Sequence, residues 1–175
     1  MQSDGLGYGA DIERHSTIER DGSGGVMAKF VLAVPRRAAA GAIGLAKVER
    51  ACAALAPDDL ELAVHAAQSR DGVVTAILNP SPAMRIEPSA IGLGAIADGG
   101  QPWSEPGGAV PDGSFVIARW NEAVVELLSD VVATRTAWWV LTEDYFLASS
   151  SQRAIVRLLG DFQFNREVIA WMLAG

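Results

Sequence analysis

Cysteine is almost missing from this chain: among 175 residues there is one, Cys52. A single cysteine excludes an internal disulfide framework. Its neighbours Ala51, Ala53 and Ala54 make it read as a small core residue. Histidine is scarce too. His15 and His65 stand fifty positions apart, and two imidazoles so separated, with one thiol, do not make a zinc site. Positive charge is in the minority, with 14 Lys and Arg against 21 Asp and Glu and a net charge of −7. No basic run interrupts that balance, so no electrostatic pull draws the chain to nucleic acid or to an anionic membrane. No apolar run reaches the roughly 18 residues that a membrane span needs. The opening stretch, MQSDGLGYGADIERHSTIERDGSGG, has no apolar signal-peptide core, and a cytoplasmic location is the default expectation. There is no internal repeat and no heptad.

What is present suits one globular domain. Half of the residues are hydrophobic and a fifth are charged, enough to bury a real core. Residues 1–25 are polar and Gly-rich, the composition of a flexible arm, and residues 26–175 form the expected domain. MAKFVLAV, from Met27, predicts a strand that stops at Pro35. Arg37 to Ala56 predicts a helix ended by Pro57, weakened by Gly41 and Gly44. Leu60–Gln68 and Val73–Leu78 flank Arg70-Asp71-Gly72, a hairpin signal. Met84–Ile96 predicts one or two short strands, and the Gly- and Pro-rich stretch from Gly99 to Pro111, with Trp103 inside, predicts a loop.

The last third carries the most information. Ser114–Trp120, Val124–Ser129 and Ala137–Leu141 alternate between turn residues, and Tyr145–Ala148 runs into a helix, Ser151–Leu159, with Ser150 as its expected cap and Gly160 as its stop. Asn165 opens a last predicted helix, Arg166–Leu173. Antiparallel strands with segregated helices mean an α+β fold.

The order of these pieces resembles the amino-terminal, glutaminase-type domain of asparagine synthase-like proteins, a group that includes β-lactam synthetases and lasso peptide cyclases. Gly113-Ser114-Phe115 is similar to the family's Gly-led strand, Leu127-Leu128-Ser129-Asp130 to its Leu-Xaa-Xaa-Asp turn, Thr134-Arg135-Thr136-Ala137-Trp138-Trp139 to its Gly-Xaa-Arg-Pro-Leu-Tyr-Tyr strand, and Phe146-Leu147-Ala148-Ser149-Ser150 to its Phe-Ala-Ser strand. Thr134 stands where the family has Gly, and Thr136 where it has Pro. The resemblance covers about the last 65 residues. It implies an Ntn-hydrolase-like, four-layer α-β-β-α sandwich.

The chemistry that the resemblance implies is not in the sequence. The family's nucleophile is a Cys at the mature amino terminus, whose own α-amine is the base. Here Met1-Gln2 begins the chain and Met27-Ala28 precedes the first strand, while Cys52 sits in a predicted helix. The family's Asn-Gly-Glu strand is missing as well, and Arg70 is explained by its turn. Gly92-Xaa-Gly94 lacks the third Gly and the helix of a dinucleotide loop. No catalytic, cofactor-binding or metal-ligating residue is therefore expected.

The resemblance implies a pseudoenzyme domain: a non-catalytic scaffold for an ATP-dependent, amide-forming synthetase domain. ATP and Mg would belong to that partner, because the chain has no Ser-Gly-Gly-Xaa-Asp pyrophosphate loop. Two alternatives stand beside it: an amidohydrolase exposed by processing ahead of Ser3, Ser16, Thr17 or Ser23, and an unrelated α+β binding protein. Interface candidates, for a synthetase partner or for self-association, are Phe164, Trp171 and Met172 in the last apolar segment and the pair Trp138-Trp139. Strand alternation puts one ring of that pair in the core and the other outside. Asp130 and Arg135 flank one loop and are placed to pair across it.

Overall fold

The computed structural model describes residues 28–37, 43–69, 71–97, 99–100 and 102–161. The arm 1–25 and the predicted helix Arg166–Leu173 lie outside them. Among the described residues nine strands and two helices follow one another: β1 Lys29–Pro35, α1 Leu45–Ala53, β2 Val64–Gln68, β3 Val74–Leu78, β4 Met84–Glu87, β5 Ala90–Ala97, β6 Asp112–Trp120, β7 Val125–Ser129, β8 Trp138–Leu141, β9 Tyr145–Ser149 and α2 Gln152–Leu159. They build a five-stranded sheet in the order β2-β3-β1-β9-β8 and a four-stranded meander β4-β5-β6-β7. Every pairing in both is antiparallel.

β1 is continuously apolar because it is covered on both faces. Phe30, Leu32 and Val34 point to the second sheet, where they meet Ile91, Leu93, Val116, Ala118 and Trp120. Val31 and Ala33 point the other way, to a core shared with Val48, Ala51 and Cys52 of α1 and with Ala154, Ile155 and Leu158 of α2. Both helices thus cover the same face of the first sheet, which gives the layers helix, sheet, sheet.

The outer face of the second sheet has no helix among the described residues. The 102–110 loop covers it, with Trp103 packed on Ala90, Ile96, Phe115 and Ile117. Gly92 makes room for the indole: a Cβ there would lie 3.0 Å from Trp103 and 2.4 Å from Ile96 Cδ1. Arg119, almost fully buried on the same face, holds the loop. Its Nε donates to Glu126 Oε2 at 2.5 Å, its Nη1 to the Trp103 and Ala109 carbonyls, and its Nη2 to the Gly108 carbonyl at 2.8 Å. The stretch read as an uncommitted loop is in fact the lid of a third small core.

Two helix starts differ from the sequence reading. The first helix does not reach back to Arg37 in the described residues: Gly44 is extended (ψ 156°), and Ile43 N–H donates to the Tyr145 hydroxyl, so the helix opens at Leu45. Ser151, not Ser150, precedes α2, and its side chain makes no capping hydrogen bond. Ser150 Oγ is already engaged, accepting from Phe30 N–H at 3.0 Å. Gly160 does end α2, at φ 75° in the left-handed region.

Candidate functional site

β1 and β9 run side by side, with Val31 opposite Ser149, so the start of β1 and the end of β9 lie together at one end of the sandwich. The serines there bind the two strands to each other. Ser149 Oγ donates to the Phe30 carbonyl at 2.6 Å and accepts from Ser151 N–H at 3.0 Å. From the second sheet comes Ser114 of β6. From the β7–β8 connection come Thr134, Arg135 and Thr136. Together with Ala28, Lys29, Leu93 and Ser150 they enclose a cavity of about 270 Å³.

The loop that delivers Arg135 is fixed from inside. Asp130 is buried, and its carboxylate accepts from Thr134 N–H at 3.0 Å and from Thr134 Oγ1 at 2.9 Å. Ala133 N–H donates to the Asp130 carbonyl at 2.9 Å, and Ala133 takes a positive φ of 49°. Ser114 Oγ meets Thr134 Oγ1 at 2.5 Å. The expected Asp130–Arg135 pair does not form, because Thr134 takes the carboxylate. Arg135 instead crosses β5 at Gly94, where a Cβ would fall 2.7 Å from its Nε and 2.1 Å from the Ser114 carbonyl oxygen. The φ of 118° at Gly94 is one that other residues rarely adopt. The buried Arg135 Nε has no hydrogen-bond partner.

Cys52 is elsewhere. It is fully buried on the helix side of the first sheet, with Val48, Ala51, Ala154 and Leu158 in the same core. Burial pushes its thiol up to about 12. The whole first sheet stands between it and the inter-sheet cavity.

The tryptophan pair is not split between core and surface: Trp138 is 43% exposed and Trp139 62%. β8 is a four-residue strand at the edge of the first sheet, bonded among the described residues to β9 alone. Trp138 shares a face with Val140, which alone in β8 packs into the helix-side core. Trp139, on the other face, stacks on Phe146 with ring centroids 6.2 Å apart. Leu127, Leu128, Ala137 and both tryptophans line a groove of about 330 Å³ beside this edge, bordered also by Arg135. Leu141, Val131 and Val132 are exposed nearby in sequence. Phe164, Trp171 and Met172 lie outside the described residues.

Sequence reasoning saw the tryptophans and the Asp130-to-Arg135 loop, but not the cavity. Lys29, Ser114 and Ser150 are distant in sequence, and each reads as ordinary strand-end polarity. The available signal was the polar cluster Thr134-Arg135-Thr136 between the apolar pairs Val131-Val132 and Trp138-Trp139. No described helix is long and apolar enough to cross a membrane. Compared with known proteins, the chain matches no family model, no curated protein and no solved structure.

Proposed function

We propose that this chain is a non-catalytic, glutaminase-like domain that serves as a scaffold for an ATP-dependent, amide-forming synthetase domain of the asparagine synthase type. The observation that carries the reading is the separation of the thiol from the cleft. In an amino-terminal-nucleophile hydrolase the attacking group works at the start of a central strand, between the sheets. In this reading that place falls to Ala28 and Lys29 at the start of β1, while the single Cys52 is buried behind the first sheet with its pKa raised. A thiol in that state is neither ionised nor accessible, as a nucleophile must be.

The stacked antiparallel sheets support the fold side of the proposal, which carries the four-layer α-β-β-α arrangement with it. The described residues form one helical layer and two sheets. The tryptophan-lined edge at β8 supports the scaffold side: large exposed aromatic and aliphatic groups beside a groove are what a partner domain buries. ATP and Mg belong, in this reading, to the partner, and the setting is cytosolic.

The test is glutamine hydrolysis. The chain is incubated with glutamine, and free glutamate is measured against a no-protein control and a Cys52→Ala variant. The expected result is background release from both proteins. Release by the unmodified chain that the variant loses would refute the proposal.

A further inference from the structure

We infer that the cavity at the start of β1 binds the oxyanion group of a small ligand, a phosphate or a carboxylate. This goes beyond the scaffold reading and does not depend on it.

The inference rests on an inventory of donors and acceptors around the cavity. Among the described residues two cations line it, Lys29 and Arg135, and no acidic side chain does. The nearest carboxylate in the loop, Asp130, is fully engaged with Thr134. Of the hydroxyls, Thr134 donates to Asp130, and Ser114 is left to donate to Thr134. Ser150 Oγ accepts from Phe30 N–H, so its own O–H remains free to donate. Thr136 completes the rim. Ser114 and Thr134 thus spend their protons on each other and on Asp130, and the donors left to the cavity are Lys29, Arg135 and the Ser150 and Thr136 hydroxyls.

Arg135 makes this more than a polar surface. Arg135 does not pair with Asp130, five positions before it in the same loop. The loop pairs Asp130 with Thr134 instead, and Gly94 clears the space that Arg135 crosses. A planar guanidinium suits the paired oxygens of a carboxylate or phosphate, and an ammonium opposite it adds a second charge. The chain's net charge of −7 would repel an anion elsewhere, so the binding must be local to these two cations.

The test is an NMR titration of the full chain with inorganic phosphate and, separately, with acetate, each against sodium chloride at matched ionic strength. Saturable shifts are expected at the Arg135 guanidinium side chain and at the Phe30 and Ser150 amides. Arg135→Gln is expected to weaken the apparent Kd about tenfold, as loss of a charge-assisted contact does. Lys29→Gln, a change at a partly exposed side chain outside the 130–136 loop, is expected to weaken it several-fold and keeps the test intact if the Arg135 variant misfolds. Saturation by phosphate alone assigns a phosphate ligand, and saturation by acetate alone a carboxylate. Failure of both anions to saturate, or titrations of both variants that match the unmodified chain, would overturn the inference.

Discussion

Arg119 and Glu126 show how one residue pair can secure a surface that has no helix among the described residues. The Arg119 side chain is 1% exposed and Glu126 25% exposed, and the guanidinium also satisfies three loop carbonyls. The hydrogen bond from Arg119 holds the Glu126 carboxyl below its ordinary value of 4.5, helped by the Gly107 N–H and opposed by partial burial. A carboxylate whose folded-state pKa is depressed contributes stability that is fully present above the unfolded value and lost as pH falls through the folded one. The urea midpoint is therefore expected to drop below about pH 4.5, and Glu126→Gln is expected to flatten that drop while lowering the plateau at neutral pH. Parallel acid limbs in the two proteins would contradict this. Gly94 gives a second test at this scale. Gly94→Ala combines a strained φ with a clash against the Ser114 carbonyl oxygen and is expected to lose about 2–4 kcal/mol in denaturant unfolding. A wild-type midpoint would contradict the positive φ and the close approach of the Ser114 carbonyl at Gly94.

Elements were legible where their reason was local. Pro35 ends β1, Asp71-Gly72 turns β2 into β3 with Gly72 at φ 78°, and the alternation of β6 and β7 marks their spans within a residue or two. What could not be read depended on partners distant in sequence. The 102–110 loop became a cover only because Gly92, Ile96 and Phe115 present an apolar face that needs one. The choice of Ser151 over Ser150 before α2 was made by Phe30, 120 positions away from Ser150. Both tryptophans of β8 stayed outside because that strand ended up at a sheet edge, which alternation does not encode. Two expectations separate covered from edge positions. Trp103→Ala should cost about 3–5 kcal/mol, because it empties the small core under the loop. Trp139→Glu should change stability by no more than about 0.5 kcal/mol, as at a surface site. Thermal or urea unfolding of the two variants measures both, and a large loss at Trp139 would place it in the core and remove the edge from the proposed docking surface.

At the scale of the whole molecule, the α+β class and the antiparallel sheets were readable from strand spacing, while the layering was not. Helix positions in sequence do not say which face of which sheet they cover, and α1 and α2, about a hundred residues apart, proved to share one. That shared layer is also what seals Cys52. The proposed loss of glutaminase chemistry therefore reduces to a property of the fold, the inaccessibility of its single thiol. The most direct measurement is the rate at which the native protein reacts with Ellman's reagent near pH 8, compared with the rate in denaturant. With the thiol buried under α1 and α2 and its pKa near 12, reaction of the native chain should be slow and should track its unfolding rate. Rapid, stoichiometric modification of Cys52 in the folded protein, at a rate indifferent to unfolding, would contradict it.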